Sequence, residues 1–327
     1  MSYSGTVSST TFNAVKVVEH AFRRCKLPAQ GITAEMTSYA LESLYTVLSE
    51  LANVKTPSWC IERVVLPMYE NQPVVPLPTG TVEVLNLNYR VLQPLTGSVT
   101  ESTTEYYVNF SSTTTVNVVG IKWTADAVPI TVQVSSDGLT WATVATQSAG
   151  AASGEISWLD IDGAKAYQYF RIVATTGTLS YSWVTLGNMP QEIPIGQLNR
   201  DSYVNQSNKV FPGRPNSYYF QRDLPVPIVN LWPAPNVTAE TAQLVLWRHR
   251  HIMDTANLQQ TVEVPQRWLE AIIDLLASRV AAETPQIDSN LAGVLYQKAV
   301  VSQQRAWDGD NDGSPTFLNP RIGVYTK

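Results

Sequence analysis

The sequence is poor in the residues that build metal sites and disulfide frameworks. Its 327 residues include only two cysteines and three histidines. Cys25 and Cys60 do not have the spacing of a metal site or of a disulfide framework. Cys25 falls on an apolar helical pattern, so we expect an inert buried thiol there. These shortages lead to the prediction that the protein uses no cofactor.

Charge and long apolar runs are also scarce. Only 15% of the residues are charged and the formal net charge is −5, whereas about a quarter of residues are charged in an average protein. A protein that wraps nucleic acid needs Lys and Arg to neutralise phosphates, so the composition argues against that class. No run approaches about 18 apolar residues, so we expect no membrane span. The first residues do not have the pattern of a signal peptide.

Catalytic motifs are missing as well. The chain has no Gly-x-Ser-x-Gly nucleophile elbow, no glycine-rich phosphate loop and no pairing of a Cys nucleophile with a His base. We therefore predict that the protein is not an enzyme. One alternative is a metal-dependent hydrolase that uses His249 and His251, which alternate along a predicted strand.

An acidic turn near the end of the sequence has part of a calcium-loop pattern. Asp308, Asp310 and Asp312 stand at alternate positions, as the first oxygen ligands of an EF-hand loop do. The twelfth position is Asn319, where such a loop has a bidentate Glu. These three aspartates are therefore weak metal candidates, and an ordinary acidic turn is favoured.

Apolar residues recur at three- and four-residue steps near both ends of the sequence. This pattern predicts a helical hairpin over 1–57 and two further helices over 264–307. Four amphipathic helices can bury their apolar stripes against one another. We therefore predict a helical bundle that joins the two ends of the chain.

The middle of the sequence has strand patterns instead. Short runs divided by prolines over 58–95 and 187–263 predict a small β domain. Residues 96–186 are rich in Thr, Ser, Val and Trp, and their seven short strand patterns predict an inserted antiparallel β-sandwich. The predicted fold class is thus α+β: a helical bundle, a small β domain and an inserted sandwich.

Several motifs follow one another in the second β segment. An Arg-Asp-x-Tyr segment precedes Gly-Arg-Pro, paired tyrosines and a Leu-Trp-Pro-x-Pro strand end. This order, over roughly 195–283, resembles the head-to-tail adaptor family of short-tailed bacteriophages, which includes tail tubular protein A and packaged-DNA stabilisation proteins. A second interpretation assigns the aromatic members to the β-core, and a buried or interfacial ion-pair set is expected for the charged ones. The motif residues are Arg200, Asp201, Tyr203, Gly213, Arg214, Pro215, Tyr218 and Trp232.

The adaptor resemblance implies a structural connector in the neck of a virion, made in the host cytoplasm. It implies a ring of twelve copies of the chain between the portal protein and the tail nozzle protein, through which DNA passes without sequence-specific binding. Residues 308–327, with spaced apolar side chains, are predicted to be an extended tail that becomes ordered on a partner. The candidate portal-docking residues are Asp308, Phe317, Leu318, Arg321, Ile322 and Tyr325.

The predicted insert has its own resemblance. Residues 130–141, ending in a Ser-x-Asp-Gly-x-x-Trp turn, and the later Tyr-Phe-Arg-Ile strand resemble a discoidin-like (F5/8 type C) galactose-binding fold. In this interpretation Trp141 and Arg171 are scaffold residues. The resemblance implies an alternative function, a carbohydrate-binding virion or secreted module acting through the sandwich. Its candidate sugar-stacking residues are Trp123, Trp158 and Trp183.

Overall fold

A computed structural model describes residues 12–54 and 57–310. The described chain forms two compact units. One contains the residues up to Glu62 and from His249 onward, and the other is Arg63–Arg248. No helix in the described part of the chain is both long and apolar enough to cross a membrane.

Helices occupy most of the first unit, at the positions where the sequence predicts them. Asn13 begins the first helix by accepting a hydrogen bond from the Lys16 backbone N–H at 3.2 Å, and Thr33 does the same for Met36 at 3.2 Å. Such caps satisfy N–H groups that have no partner in the first turn. The helices are α1 (Ala14–Arg24), α2 (Ala34–Val54), α3 (Arg200–Val204, in the second unit), α4 (Gln266–Glu283) and α5 (Ser289–Gly309).

The buried faces of α1, α2, α4 and α5 share one hydrophobic cluster. At its centre Trp268 is 0% exposed. The rings of Trp307 and Trp59 pack edge-on against Trp268, with centroid distances of 4.6 and 5.2 Å. Edge-to-face contacts of this kind stabilise aromatic pairs beyond their buried area.

A charged network also lies among these helices. Asp274 of α4 is fully buried, and its Oδ1 accepts from Arg24 of α1 and, at 3.1 Å, from Lys298 of α5. Glu270 pairs with the same two cations, at 2.6 Å from Arg24 and 3.4 Å from Lys298. The network therefore connects α1, α4 and α5. Its loss would be destabilising, because a buried carboxylate without its cation is costly.

Strands make up most of the second unit. Their bounds are β1 Ile61–Pro67, β2 Val74–Pro76, β3 Thr81–Pro94, β4 Ser98–Glu101, β5 Glu105–Trp123, β6 Ile130–Ser135, β7 Ala142–Gln147, β8 Ile156–Ala174, β9 Tyr181–Pro194, β10 Gly196–Gln197, β11 Pro212–Gly213, β12 Ser217–Gln221, β13 Ile228–Trp232, β14 Ala234–Pro235 and β15 Gln243–Arg250.

A nine-stranded sheet organises these strands. Its order is β1-β15-β3-β9-β5-β8-β6-β7, and β4 pairs with β5. A four-stranded sheet follows the order β10-β12-β13-β2, and β11 pairs with β14. The pairs β3–β9, β5–β8, β5–β9, β6–β8 and β6–β7 are antiparallel. The large antiparallel sheet and the helices confirm the α+β class. The finer division into bundle, small domain and insert, with its boundaries, stays a prediction.

Some predicted strands are parts of longer ones. The two patterns at 106–110 and 115–123 belong to the single strand β5, and those at 155–159 and 170–174 belong to β8. The register of the β5–β8 pair shifts between Asn109 and Thr114, and Ser111 in that stretch has a φ of 63°. A β-bulge lets a strand bend without leaving its sheet, which is why two short patterns form one strand.

The outer end of the large sheet has one buried and one outward face. Successive side chains of a strand point to opposite faces. Val108 of β5, Val132 of β6 and Phe170 of β8 lie in a hydrophobic cluster at 2%, 0% and 0% exposure. Their sequence neighbours Tyr107 and Arg171 therefore face outward.

Candidate functional site

The outward face of β5, β8 and β6 carries a row of polar and aromatic side chains. Tyr107 lies opposite Arg171 in the β5–β8 pair, and Arg171 lies opposite Gln133 in the β8–β6 pair. Tyr169, two residues before Arg171 on β8, lies beside Tyr107 with a ring centroid distance of 6.2 Å. We call this surface the Tyr107 face; its residues are Glu105, Tyr107, Gln133, Trp141, Tyr169 and Arg171.

Hydrogen bonds fix the guanidinium of Arg171 at the centre of this face. Its Nε donates to Gln133 Oε1 at 2.8 Å, and its Nη1 donates to Glu105 Oε1 at 3.3 Å. The guanidinium carbon lies 4.1 Å from the ring centroid of Trp141, which is a cation–π contact. Both charged groups are partly exposed, at 27% for Arg171 and 36% for Glu105.

Three aromatic rings lie on this face, and one of them, Trp141, contacts that guanidinium. Tyr107 meets Trp141 edge-on at a centroid distance of 6.1 Å. Tyr107, Trp141 and Tyr169 are all partly exposed. Partial desolvation, with smaller effects of Tyr169 and Glu105, raises the pKa of Tyr107. Its hydroxyl therefore stays protonated at neutral pH and can donate or accept a hydrogen bond.

The turn between β6 and β7 holds one edge of the face. Gly138 there has a φ of +74°, and a Cβ at this position would lie 3.6 Å from the ring of Tyr169. The Asp137 carboxylate accepts hydrogen bonds from the backbone N–H groups of Leu139 and Thr140, each at 2.8 Å. Hydrogen bonds from Thr140, Leu139 and Ser135 lower the pKa of Asp137 well below its ordinary value. The turn, closed by these hydrogen bonds, thus lies against the ring of Tyr169.

Sequence reasoning did not identify this face as a site. It assigned Trp141 and Arg171 to the scaffold; the described partners of Arg171 are the side chains of Gln133, Glu105 and Trp141. Alternation in β5 and β8 does show that Tyr107, Tyr169 and Arg171 share a face. The register that aligns them with Gln133 could not be obtained from one sequence.

The three predicted sugar-stacking tryptophans occupy other places. Trp123 is 1% exposed and donates from its indole to Ser157 Oγ at 2.9 Å, so the prediction that it stacks on sugar is wrong. Trp158 and Trp183 are half-buried, with ring centroids 6.0 Å apart. Trp158 lies flat against Gly120 and packs on the Leu92 cluster.

The residues of the adaptor-like motif are spread over the small strands. Tyr218 is 2% exposed in the core, while Tyr203 of α3 stacks on Tyr219 with a centroid distance of 5.3 Å. Trp232 donates to the Asn208 carbonyl at 3.0 Å. Pro215 is buried, and a Cβ on Gly213 would come within 3.1 Å of Pro233. The charged members Arg200, Asp201 and Arg214 are exposed, so a buried ion pair among them is excluded within this chain.

The weak metal candidates have other roles. Asp308 lies within α5 and accepts from Gln304 at 2.8 Å, so it is not part of a loop or of an extended tail. Asp310 is held by Arg267 and by Ser58, whose backbone N–H donates at 2.9 Å. Burial opposes ionisation of Asp310, but these donors outweigh it and lower the pKa.

The remaining predicted metal and docking residues give no site in the described structure. No group of three or more potential ligands lies close enough to bind a metal among the described residues. His249 is 2% exposed and His251 is exposed, so the two rings do not form the expected pair. The other candidates lie outside the described residues: Asp312, Phe317, Leu318, Arg321, Ile322 and Tyr325.

Comparisons with known proteins come from solved structures; no family model and no curated protein matches the chain. One matched structure is CBM32-1 from a family 31 glycoside hydrolase of Clostridium perfringens, at 10% identity over 42% of this chain and 99% of that one, with a TM-score of 0.24. Another is chitosan-binding module 1 from a chitosanase/glucanase of Paenibacillus sp. IK-5, at 21% identity, 39% and 94% coverage, and a TM-score of 0.22. A third is a Clostridium perfringens CBM32 module in complex with GalNAc-β-1,3-galactose, at 10% identity, 41% and 99% coverage, and a TM-score of 0.22.

These comparisons correct the phage description of the chain. The three structures named above are carbohydrate-binding modules, and glycoside hydrolases are among the other matches. These matches give no support to the descriptions as a bacteriophage virion protein, a portal-binding head-tail adaptor or connector, a tail tubular protein and a dodecameric ring in genome ejection, and of the predicted terms only the discoidin-like one agrees with them. The predicted partners and the virion location stay predictions.

Proposed function

We propose that this protein is a non-catalytic carbohydrate-binding protein that binds sugar on the Tyr107 face. One observation carries this proposal: Tyr107, Arg171 and Gln133 lie side by side on three neighbouring strands with partly exposed side chains. Aromatic rings offer apolar surface to the C–H groups of a sugar. The guanidinium of Arg171 and the side-chain amide of Gln133 offer hydrogen-bond donors and an acceptor to its hydroxyl groups.

The arrangement supports binding and offers little for catalysis. The one carboxylate of the face, Glu105, is paired with Arg171. Glycoside hydrolysis generally needs two carboxyl groups that flank the bond to be broken. The face is also preorganised, because Arg171 is held by Gln133, Glu105 and Trp141 before any sugar arrives. Preorganised groups lose less freedom on binding.

The test is a binding measurement with two face variants and a matched control. Tyr107→Ala and Arg171→Gln alter the face, and Tyr39→Ala removes an exposed tyrosine from α2, away from the face. A panel of polysaccharides in native affinity gels identifies the ligand, and calorimetry measures its affinity. We expect the face variants to bind about tenfold more weakly or worse, and the control to bind as the wild type does. Absence of binding to every glycan, or equal binding by all variants, refutes the proposal.

A further inference from the structure

The charges of the Tyr107 face cancel within the protein. Glu105 and Arg171 pair with each other. They are the only charged residues among the described side chains that face outward with them around this row on β4, β5, β6, β7 and β8. Other outward residues near this pair carry hydroxyl, amide or phenol groups; they include Thr100, Tyr107, Asn109, Gln133, Thr143 and Tyr169. The remaining side chains of the face, such as Trp141 and Val173, are also uncharged.

A charged sugar would have to compete with this pair. A carboxylate or sulfate that approaches Arg171 meets the negative charge of Glu105, which lies 3.3 Å from the guanidinium. An amino sugar that approaches Glu105 meets the positive charge of Arg171. Two of the guanidinium nitrogens already donate within the protein. Breaking an existing pair to form an equivalent one gives no net gain, so the face favours a ligand without charge.

The face is also open along the direction that crosses the strands. Tyr107, Arg171, Gln133 and Thr143 lie opposite one another on four consecutive strands. With about 4.8 Å between neighbouring strands, this row is about 14 Å long. It lies on the face of a sheet and not in a closed pocket at a loop cluster. Such a surface accommodates several consecutive sugar units lying flat.

We infer that the ligand of the Tyr107 face is an internal stretch of a linear, uncharged polysaccharide. This inference rests on the proposed function and adds the class of the ligand. The ligand carries no charge, and the face binds several consecutive sugar units within the polysaccharide and not its end. It follows from the internal Glu105–Arg171 pair and from the row that runs across four strands.

The experiment uses the full chain and three sets of defined probes. The neutral set is soluble β-1,4-glucan, β-1,4-mannan and β-1,4-galactan, the anionic set is pectate, alginate and hyaluronan, and the cationic probe is chitosan. Affinity is measured by calorimetry at low and at high salt. We expect a neutral polymer to bind at least about tenfold more tightly than the charged ones, with little dependence on salt because screening acts on charges. Oligosaccharides of the bound polymer should gain affinity with length, and the monosaccharide should compete poorly.

The variant Glu105→Gln tests the role of the pair. It leaves the guanidinium of Arg171 without its carboxylate partner, so we expect gained, salt-sensitive binding of an anionic polymer. Tyr107→Ala should weaken the neutral polymer, and Tyr39→Ala should change neither. Preferred binding of a charged polymer by the wild type, or a monosaccharide that competes as well as a hexasaccharide, overturns the inference and leaves the proposed function standing. Binding to none of the probes, or binding that Tyr107→Ala leaves intact, refutes the proposed function itself.

Discussion

Replacing Gly120 by alanine tests the packing of the large sheet where β5 meets β8. The backbone of Gly120 lies directly beneath the indole of Trp158. A Cβ on Gly120 would lie 2.4 Å from Cζ3 of Trp158 and 2.8 Å from Cε3 and Cη2. Carbon atoms in contact prefer about 3.5–4.0 Å, so the indole would have to move by about 1 Å.

The surroundings resist that movement. Trp158 packs against Leu92, Val118 and Met189, which are 9%, 0% and 4% exposed. Overpacking of this kind costs about 1–3 kcal/mol. In an unstrained strand, Gly→Ala would otherwise stabilise by about 0.4–1 kcal/mol because alanine restricts the unfolded chain. The clash therefore turns an expected gain in stability into a loss. We expect Gly120→Ala to lower the free energy of unfolding by about 1–2 kcal/mol.

The assay is urea unfolding followed by tryptophan fluorescence, with thermal melting as a second measurement. For a unit of this size the expected loss corresponds to about 2–8 °C in Tm. Trp158→Leu removes the indole, so in that background Gly120→Ala should be neutral or stabilising. Gly293→Ala on α5, which has no neighbouring atom within 4 Å of the added Cβ, should stabilise by up to about 1 kcal/mol. An equal cost of Gly120→Ala in both backgrounds would refute the reasoning.

Three further predictions concern the helical unit. Asp274→Ala should lower the free energy of unfolding by about 1–3 kcal/mol, because Arg24 loses its fully buried partner and keeps only Glu270. An unchanged free energy in urea unfolding would contradict this. Burial raises the pKa of Cys25 to about 11 and that of Cys60 to about 12. Both thiols should therefore react slowly with a thiol reagent in the native protein at neutral pH and rapidly in urea. Fast labelling of the native protein would contradict their burial. The pKa of Asp310 is lowered in the folded protein, so its stabilising contribution is complete above the ordinary carboxyl pKa of about 3.9 and is lost as the pH falls through the folded value. Urea unfolding should therefore show that Asp310→Asn is destabilising at pH 7 and nearly neutral at strongly acidic pH. The same loss of stability at both pH values would contradict the ion pair.

The helices and the outward faces of strands follow from local sequence. Periodicity indicates where the helices lie, because it depends on residues about one turn apart along the chain. Alternation places Tyr107 and Arg171 on a solvent face for the same local reason. Burial of Trp123 could not be predicted in this way, because which face of the sheet is covered depends on distant residues.

Strand register and charge pairing were decided only by the tertiary structure. The local pattern of β5 is the same whichever residue of β8 stands opposite it, yet the observed register sets Tyr107 against Arg171 and thereby builds the Tyr107 face. The pairing of Glu105 with Arg171 joins positions 66 residues apart. The sequence by itself determined which groups could face solvent, whereas long-range packing determined which of them meet, because register is selected by the burial of the opposite face of the sheet.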